Sequence, residues 1–185
     1  MARIVCISGS PTATSRTLSL SARIGADLRA QGFQVQSVNV RELPAEDLLH
    51  ANLESPALKE ALSLVEGADG IVLSTPLYKA SYTGVLKVFL DLLPQFGLTG
   101  KVVLPIATGG SLAHVLALDY ALRPVLQSAG AQHVVGGFFV LDKLIQRKED
   151  GSITIEEDTQ KRLIGVVQNF ADSVRRHLIA LPASA

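Results

Sequence analysis

The chain has 185 residues, 48% hydrophobic and 18% charged, and its 17 lysines and arginines balance 17 aspartates and glutamates. Zero net charge without a basic stripe argues against nucleic acid, and with neither a charged-then-apolar leader nor an apolar run of about 18 residues, no membrane is expected and the cytoplasm is the expected location. One domain over residues 1–185 fits this length, and the apolar content exceeds what a small monomer needs, so self-association is expected.

The first apolar strand, residues 3–8, runs into Ser8-Gly9-Ser10-Pro11-Thr12-Ala13-Thr14-Ser15-Arg16-Thr17. Glycine permits a sharp turn, the hydroxyls are short donors, and the helix that follows (15–30) opens with free N–H groups and a partial positive charge. The loop therefore reads as a cradle for a phosphate monoester. It lacks G-x-x-x-x-G-K-[ST] and G-x-G-x-x-G, which argues against a triphosphate site and a dinucleotide fingerprint. A plain helix cap is the competing reading of the same residues. Cys6, the single cysteine, lies inside the strand and reads as a small buried hydrophobe.

Gly32 marks the stop of the first helix, a strand follows over 33–40, and Ser55-Pro56 supplies the N-cap and first position of a helix over 56–67. Strands over 69–74 and 101–107 carry Ile71-Val72-Leu73 and Val102-Val103-Leu104, apolar triplets that suit strands buried on both faces. A helix over 83–94 separates them, with Lys87 and Asp91 as an i,i+4 pair. A helix over 111–129 and a strand over 131–140 complete the repetition. Repeated βαβ units predict an α/β fold: a doubly wound, five-stranded parallel sheet in the order 2-1-3-4-5 with helices on both faces.

In the helix over 111–129, a core stripe of Val115, Leu118, Leu122, Val125, Leu126 and Ala129 puts Tyr120 on the outer face beside Leu116 and Ala117. Pro124 has no N–H for the carbonyl of Tyr120, which predicts a kink or a π-bulge at that turn. Beyond residue 141, the polar Glu149-Asp150-Gly151 followed by alternating Ile153 and Ile155 reads as a short hairpin or a mobile excursion. The last helix carries Leu163, Ile164, Val166, Val167, Phe170, Ala171, Val174 and Leu178 toward the sheet, and Leu181-Pro182-Ala183-Ser184-Ala185 is expected to fray.

Ligands of such sheets bind at the carboxyl ends of strands one, three and four, which points to the loops 8–17, 74–83 and 107–114. In the second loop Pro76 is stiffening, Tyr78 offers an aromatic face, and the peptides from Leu77 to Lys79 can meet a flat heterocycle; an ordinary surface tyrosine is the plainer reading. In the third, Thr108-Gly109-Gly110-Ser111 allows close approach of a ring and offers N–H groups to its carbonyls.

One phosphate pocket beside one flat slot is what flavin mononucleotide requires. G-S-P-x-x-x-S-R-T after the first strand, T-P-x-Y-K-A-S-Y-T-G after the third and A-T-G-G-x-x-A-H after the fourth resemble the NADPH-dependent FMN reductase family of flavodoxin-like proteins. The nearest likeness is to the reductases that supply reduced flavin to alkanesulfonate monooxygenases, and it covers most of residues 3–140. The resemblance implies a flavodoxin-like fold, FMN as cofactor, NADPH as co-substrate and a flavin-dependent monooxygenase as partner. It places Ser10, Ser15, Arg16 and Thr17 on the FMN phosphate, Pro76, Leu77, Tyr78 and Lys79 beside the isoalloxazine, and Thr108, Gly109, Gly110 and Ser111 at its pyrimidine edge. It also implies a homotetramer, a dimer of dimers, assembled through a π-helix that carries Tyr120 near a neighbouring subunit's flavin. Where many relatives have an arginine after the G-S pair, this chain has Thr12, so Arg16 is the one guanidinium near a phosphate of about −1.5 to −2 charge.

Hydride transfer between stacked rings needs positioning rather than a protein nucleophile. The sequence agrees: it carries no Ser/His/Asp arrangement, H-E-x-x-H or C-x-x-C, and His50, His114, His133 and His177 lack metal-ligand spacing, so neither a catalytic side chain nor a metal is expected. A flavodoxin-type electron carrier, an FMN-containing quinone or azo reductase and a flavin-sensing regulator are the alternatives. NADPH over NADH rests on the resemblance alone.

Overall fold

The computed structural model describes residues 1–180, and the expected fraying of Leu181-Pro182-Ala183-Ser184-Ala185 lies outside the described residues. β1 (Arg3–Ser8) passes through the hydroxyl-rich loop into α1 (Arg16–Ala30), and the chain returns as β2 (Gln34–Asn39), parallel to β1 with Ile4 opposite Val35. α1 stops at Gly32 as expected. Its φ is +88°, and the N–H groups of Gly32 and Phe33 return to the carbonyls of Arg29 and Leu28 at 2.9 and 3.2 Å. A short α2 (Ala45–Leu49) precedes α3 (Pro56–Glu66), whose first position is Pro56. Ser55 makes no capping bond there; nearby, Asn52 Nδ2 donates to Asp47 Oδ1 at 2.8 Å, and the neighbouring Ser55 and Asn52 hold that carboxyl below its ordinary range.

β3 (Gly70–Tyr78) extends beyond the expected 69–74, because residues 75–78 go on pairing with β5 or with the short β4 (Ser81–Tyr82). α4 (Gly84–Leu90) is shorter than expected, and β5 (Val102–Gly109) reaches into what the sequence reads as loop. The helix expected over 111–129 is three pieces: a 3₁₀ turn at Leu112–His114, a π-helix at Leu118–Leu122, and α5 (Arg123–Ser128). The π segment sits where Pro124 cannot bond to Tyr120, as the sequence predicts. Because the turn before it is tighter than an α-helix, Val115 leaves the expected core stripe and is exposed, while Leu118, Leu122 and Leu126 are buried.

The expected last core strand is broken into β6 (His133–Val134) and β7 (Phe138–Leu141), both parallel to β5. Val103 pairs with Val134 but Ile106 pairs with Phe138, so the broken strand holds one residue more than its partner. Pro105 explains the position of the break. Val103 accepts the Val135 N–H at 3.0 Å, so Pro105, two residues on, faces the same neighbour without an N–H to donate. The hairpin expected after 141 is present as β8 (Ile145–Arg147) and β9 (Ile153–Ile155), before the long α6 (Glu157–Ala180).

The sheet order is β2-β1-β3-β5-β6, with β7 continuing β6 along β5. Counting the fifth strand once and omitting β4, this is the expected 2-1-3-4-5. Alternation along the strands divides the core: Val5, Ile7, Ile71 and Leu73 pack with α3, α4 and α5, and Ile4, Cys6, Val72 and Leu104 pack with α1 and α6. In α6, Leu163, Val167, Phe170, Ala171 and Val174 are buried, but Ile164 is exposed, one position off the face that meets the sheet.

Cys6 is 2% exposed, and burial pushes its thiol up from 9.0 to about 12, against a smaller opposing pull from Arg29. The folded chain should resist alkylation at pH 8, with one thiol appearing only on unfolding, as a thiol titration with and without denaturant would measure. The unfolded thiol ionises first as pH rises, so this group leaves stability unchanged below about pH 9 and lowers it progressively above.

Candidate functional site

The carboxyl ends of β1, β3, β5 and β7 open on one cleft. Thr12, Thr14, Ser15, Arg16 and Thr17 line it from the first loop and α1, Pro76, Leu77 and Tyr78 from β3, Thr108 and Gly109 from β5, and Asp142 from the residue after β7. The sequence brings these together because a parallel sheet delivers all its strand ends to one edge.

The first loop is fixed at its base by backbone and by Thr83. Gly9 donates its N–H to the Ser74 carbonyl at 2.8 Å, and its own carbonyl accepts the Thr83 hydroxyl at 2.6 Å. The Thr83 Oγ1 also accepts the Leu86 N–H at 3.2 Å and so caps α4, while the Thr83 N–H goes to Thr75 Oγ1 at 3.2 Å. A methyl group on Gly9 would lie 2.5 Å from Leu86 Cβ, so the loop lies against α4 only with glycine there.

Ser15 caps α1 by accepting the Leu18 N–H at 3.3 Å, leaving the first-turn amides of Arg16 and Thr17 for another partner. Arg16 donates Nε–H to the Ile145 carbonyl at 3.1 Å, which ties the hairpin to α1 and leaves both terminal amino groups without a bond to any described residue. Thr17 Oγ1 and Thr108 Oγ1 are 2.7 Å apart and buried, so the phosphate and ring subsites read from the sequence adjoin. Ser74, between Ser8 and Ile106 on neighbouring strands, has a fully buried hydroxyl without a hydrogen-bond partner.

Four of the expected residues stand outside the lining. Ser10 is buried below the loop, where its Oγ accepts the Thr12 N–H at 3.5 Å. Lys79 is at the tip of the β3–β4 hairpin, and Gly110 and Ser111 are exposed beyond β5, with Ser111 Oγ accepting the Ala113 N–H at 3.1 Å. A methyl group on Gly109 would meet the Phe139 ring at 3.1 Å, whereas Gly110 faces open space, so packing demands the first glycine only. Asp142 lies in none of the three loops that follow strands one, three and four; it follows the fifth strand, which opens on the same edge.

The hairpin tip is strained. Lys79 and Ala80 have φ of +51° and +61°, a pair of left-handed residues in a two-residue turn that favours Asn-Gly. Ala80→Gly should raise stability by about 0.5–1 kcal/mol by removing the Cβ clash, read as a higher urea midpoint at unchanged m.

Tyr120 is 79% exposed, with Leu112 and Leu116 also exposed near it, whereas Ala117 is buried. Among the described residues no group of three His, Cys, Asp or Glu side chains could hold a metal, and no helix is long and apolar enough to cross a membrane.

Residues 2–146 match the family described as NADPH-dependent FMN reductase. An FMN reductase (NADPH) of Pseudomonas putida KT2440 is 49% identical over 146 residues, 79% of this chain and 74% of that protein. An FMN reductase (NADPH) of Escherichia coli K12 is 40% identical over 181 residues, 97% of this chain and 94% of that protein. The crystal structure of an NADH:FMN oxidoreductase in its apo form is similar with a TM-score of 0.86 at 45% identity, covering 94% of this chain and 90% of that one. The matched segment spans the hydroxyl-rich loop, the cleft and the π-helix, and on this family match, these relatives and this fold the chain belongs to the NADPH-dependent FMN reductase family, as an oxidoreductase of flavodoxin-like architecture.

Proposed function

We propose that the cleft takes FMN as an exchangeable partner in NAD(P)H oxidation, and that the reduced flavin is passed to a separate monooxygenase acting on alkanesulfonates or related organosulfur compounds. The observation that carries the first part is Arg16, two amino groups of which are free at the hydroxyl-lined start of α1. A phosphate fits that donor set: the guanidinium fork and the open amides of Arg16 and Thr17 present N–H groups to an anion, and the helix terminus adds partial positive charge. The unpartnered Ser74 hydroxyl on the same edge is a further polar group without a protein partner.

Bound FMN would supply the ring that accepts hydride from the nicotinamide. The chain's own work is placement. Pro76, Leu77 and Tyr78 form one wall of the slot, and Tyr78, 52% exposed, borders its open side. Thr108 and Gly109 form the base, where the Thr17–Thr108 hydrogen bond holds the two subsites together. The monooxygenase partner is supported by the likeness of the motifs over residues 3–140 to reductases of that type.

The same reading makes the exposed Leu112, Leu116 and Tyr120 a contact of the homotetramer, with Tyr120 near a neighbour's flavin. Tyr120→Ala should lower the mass seen by light scattering and change flavin retention; an unchanged tetramer with unchanged flavin exchange would remove this part.

NAD(P)H oxidation measured with FMN, FAD and riboflavin side by side tests the whole reading. FMN should be preferred and oxidation should depend on added FMN, which separates a reductase from an electron carrier. Riboflavin performing as well as FMN would remove the phosphate site. NADPH and NADH are both to be assayed, since relatives of either kind are similar to this chain.

A further inference from the structure

Two charged side chains line the cleft, and they have opposite sign: Arg16 and Asp142. They form no ion pair with each other. Among the described residues the ion pairs within 4.0 Å all lie elsewhere, and Asp142 makes no side-chain hydrogen bond. The nearest cations in sequence are not placed to compensate: Lys143 lines a separate groove with Leu144, Gln146 and Thr154, and Lys79 stands at the hairpin tip outside the lining. Asp142 is also held in place, between β7, which pairs with β5 up to Leu141, and Ile145, whose carbonyl binds Arg16.

We propose that Asp142 sets how tightly the flavin phosphate is held, its carboxylate opposing the single guanidinium so that FMN leaves the cleft readily. The proposal rests on reading the cleft as an FMN site. The charge balance carries it: the one arginine in the lining brings less than the phosphate's charge of about −1.5 to −2, and the carboxylate in the same lining repels the dianion. A site built for permanent retention would surround the dianion with donors and cations; this one includes a fixed repulsive element. That suits a protein whose reduced product has to be released. The phosphate carries the charge and the oxidised ring is neutral, so the effect of the Asp142 carboxylate, one residue past the Leu141–Gly109 pair, should depend on which flavin is bound.

The test is Asp142→Asn, which keeps the shape and removes the charge, with Asp142→Glu as the charge-retaining control. Dissociation constants of FMN and riboflavin are measured by quenching of flavin fluorescence at low and high salt. Asp142→Asn should bind FMN about 3- to 10-fold more tightly at low salt, with the gain fading at about 0.5 M salt as the charge is screened, and riboflavin should be unchanged. Asp142→Glu should behave as the parent. Equal tightening of both flavins, or FMN binding that is unchanged or weaker, would overturn the role of Asp142. If the parent itself fails to prefer FMN over riboflavin, the reading of the cleft fails first, a result distinct from a parent that prefers FMN and an Asp142→Asn variant that matches it.

Discussion

Arg16→Met should weaken FMN binding by about 10- to 100-fold, the equivalent of roughly 1.5–3 kcal/mol for a charge-assisted hydrogen-bonding group, and leave riboflavin binding nearly as it was. The argument starts from geometry. Nε is engaged by the Ile145 carbonyl at 3.1 Å, so the guanidinium plane is set before any ligand arrives and both amino groups remain to donate. Methionine keeps most of the apolar stem but removes the charge, the fork and the tie to the hairpin. Arg16→Lys separates these contributions: it keeps a positive charge without the bidentate geometry and should fall between the parent and Arg16→Met. Titrating each variant with both flavins gives the answer. A loss shared equally by FMN and riboflavin would show that Arg16 matters through the hairpin and not through the phosphate.

Gly9→Ala should be the most damaging small substitution in the first loop. Its methyl would lie 2.5 Å from Leu86 Cβ and 3.2 Å from Leu86 Cα, atoms that no rotamer change can move. Either the loop lifts or α4 shifts, and both disturb the bonds from Gly9 N–H to Ser74 and from Thr83 Oγ1 to the Gly9 carbonyl. Overpacking and a strained buried hydrogen bond together should cost about 2–4 kcal/mol, or roughly 5–12 °C in Tm for a chain of this size. Leu86→Ala cannot rescue it, because alanine retains the obstructing Cβ. A thermal melt within about 2 °C of the parent would show that the loop accommodates the methyl freely, and would remove the claim that contact with α4 sets its shape.

The parts of the fold that the sequence made legible are those fixed by local chemistry. Gly32 stops α1 because its left-handed φ allows the carbonyls of Leu28 and Arg29 to be capped. Pro124 predicts a kink or a π-bulge, and the π-helix forms there, because the missing N–H is a property of one residue. The triplets Ile71-Val72-Leu73 and Val102-Val103-Leu104 read as central strands because only a doubly covered sheet buries consecutive residues. What stayed hidden depends on distant neighbours. The extension of β3 to Tyr78 depends on pairing with β4 and β5, and Val115 is exposed because the helix around it is not continuous. Ser55 looks like a cap but makes no capping bond, and lies beside the Asp47 carboxylate, a neighbour the local pattern does not reveal. In the cleft, Ser15, Arg16, Thr17, Pro76, Leu77, Tyr78, Thr108 and Gly109 meet as their strand ends require, whereas Asp142 had no motif to announce it.

The surplus residue between β6 and β7 reaches well beyond the turn that contains it. Strand side chains alternate, so a chain one residue shorter before Phe138 would hand Phe139 the inward seat beside Ile106 and turn Phe138 to the other face. The carboxylate that ends this strand would be carried to the wrong side with them, and the cleft would lose its one negative wall. The Gly136-Gly137 pair thus sets the parity of the fifth strand: a single deletion there would leave the composition almost untouched while reversing which side chains the edge presents.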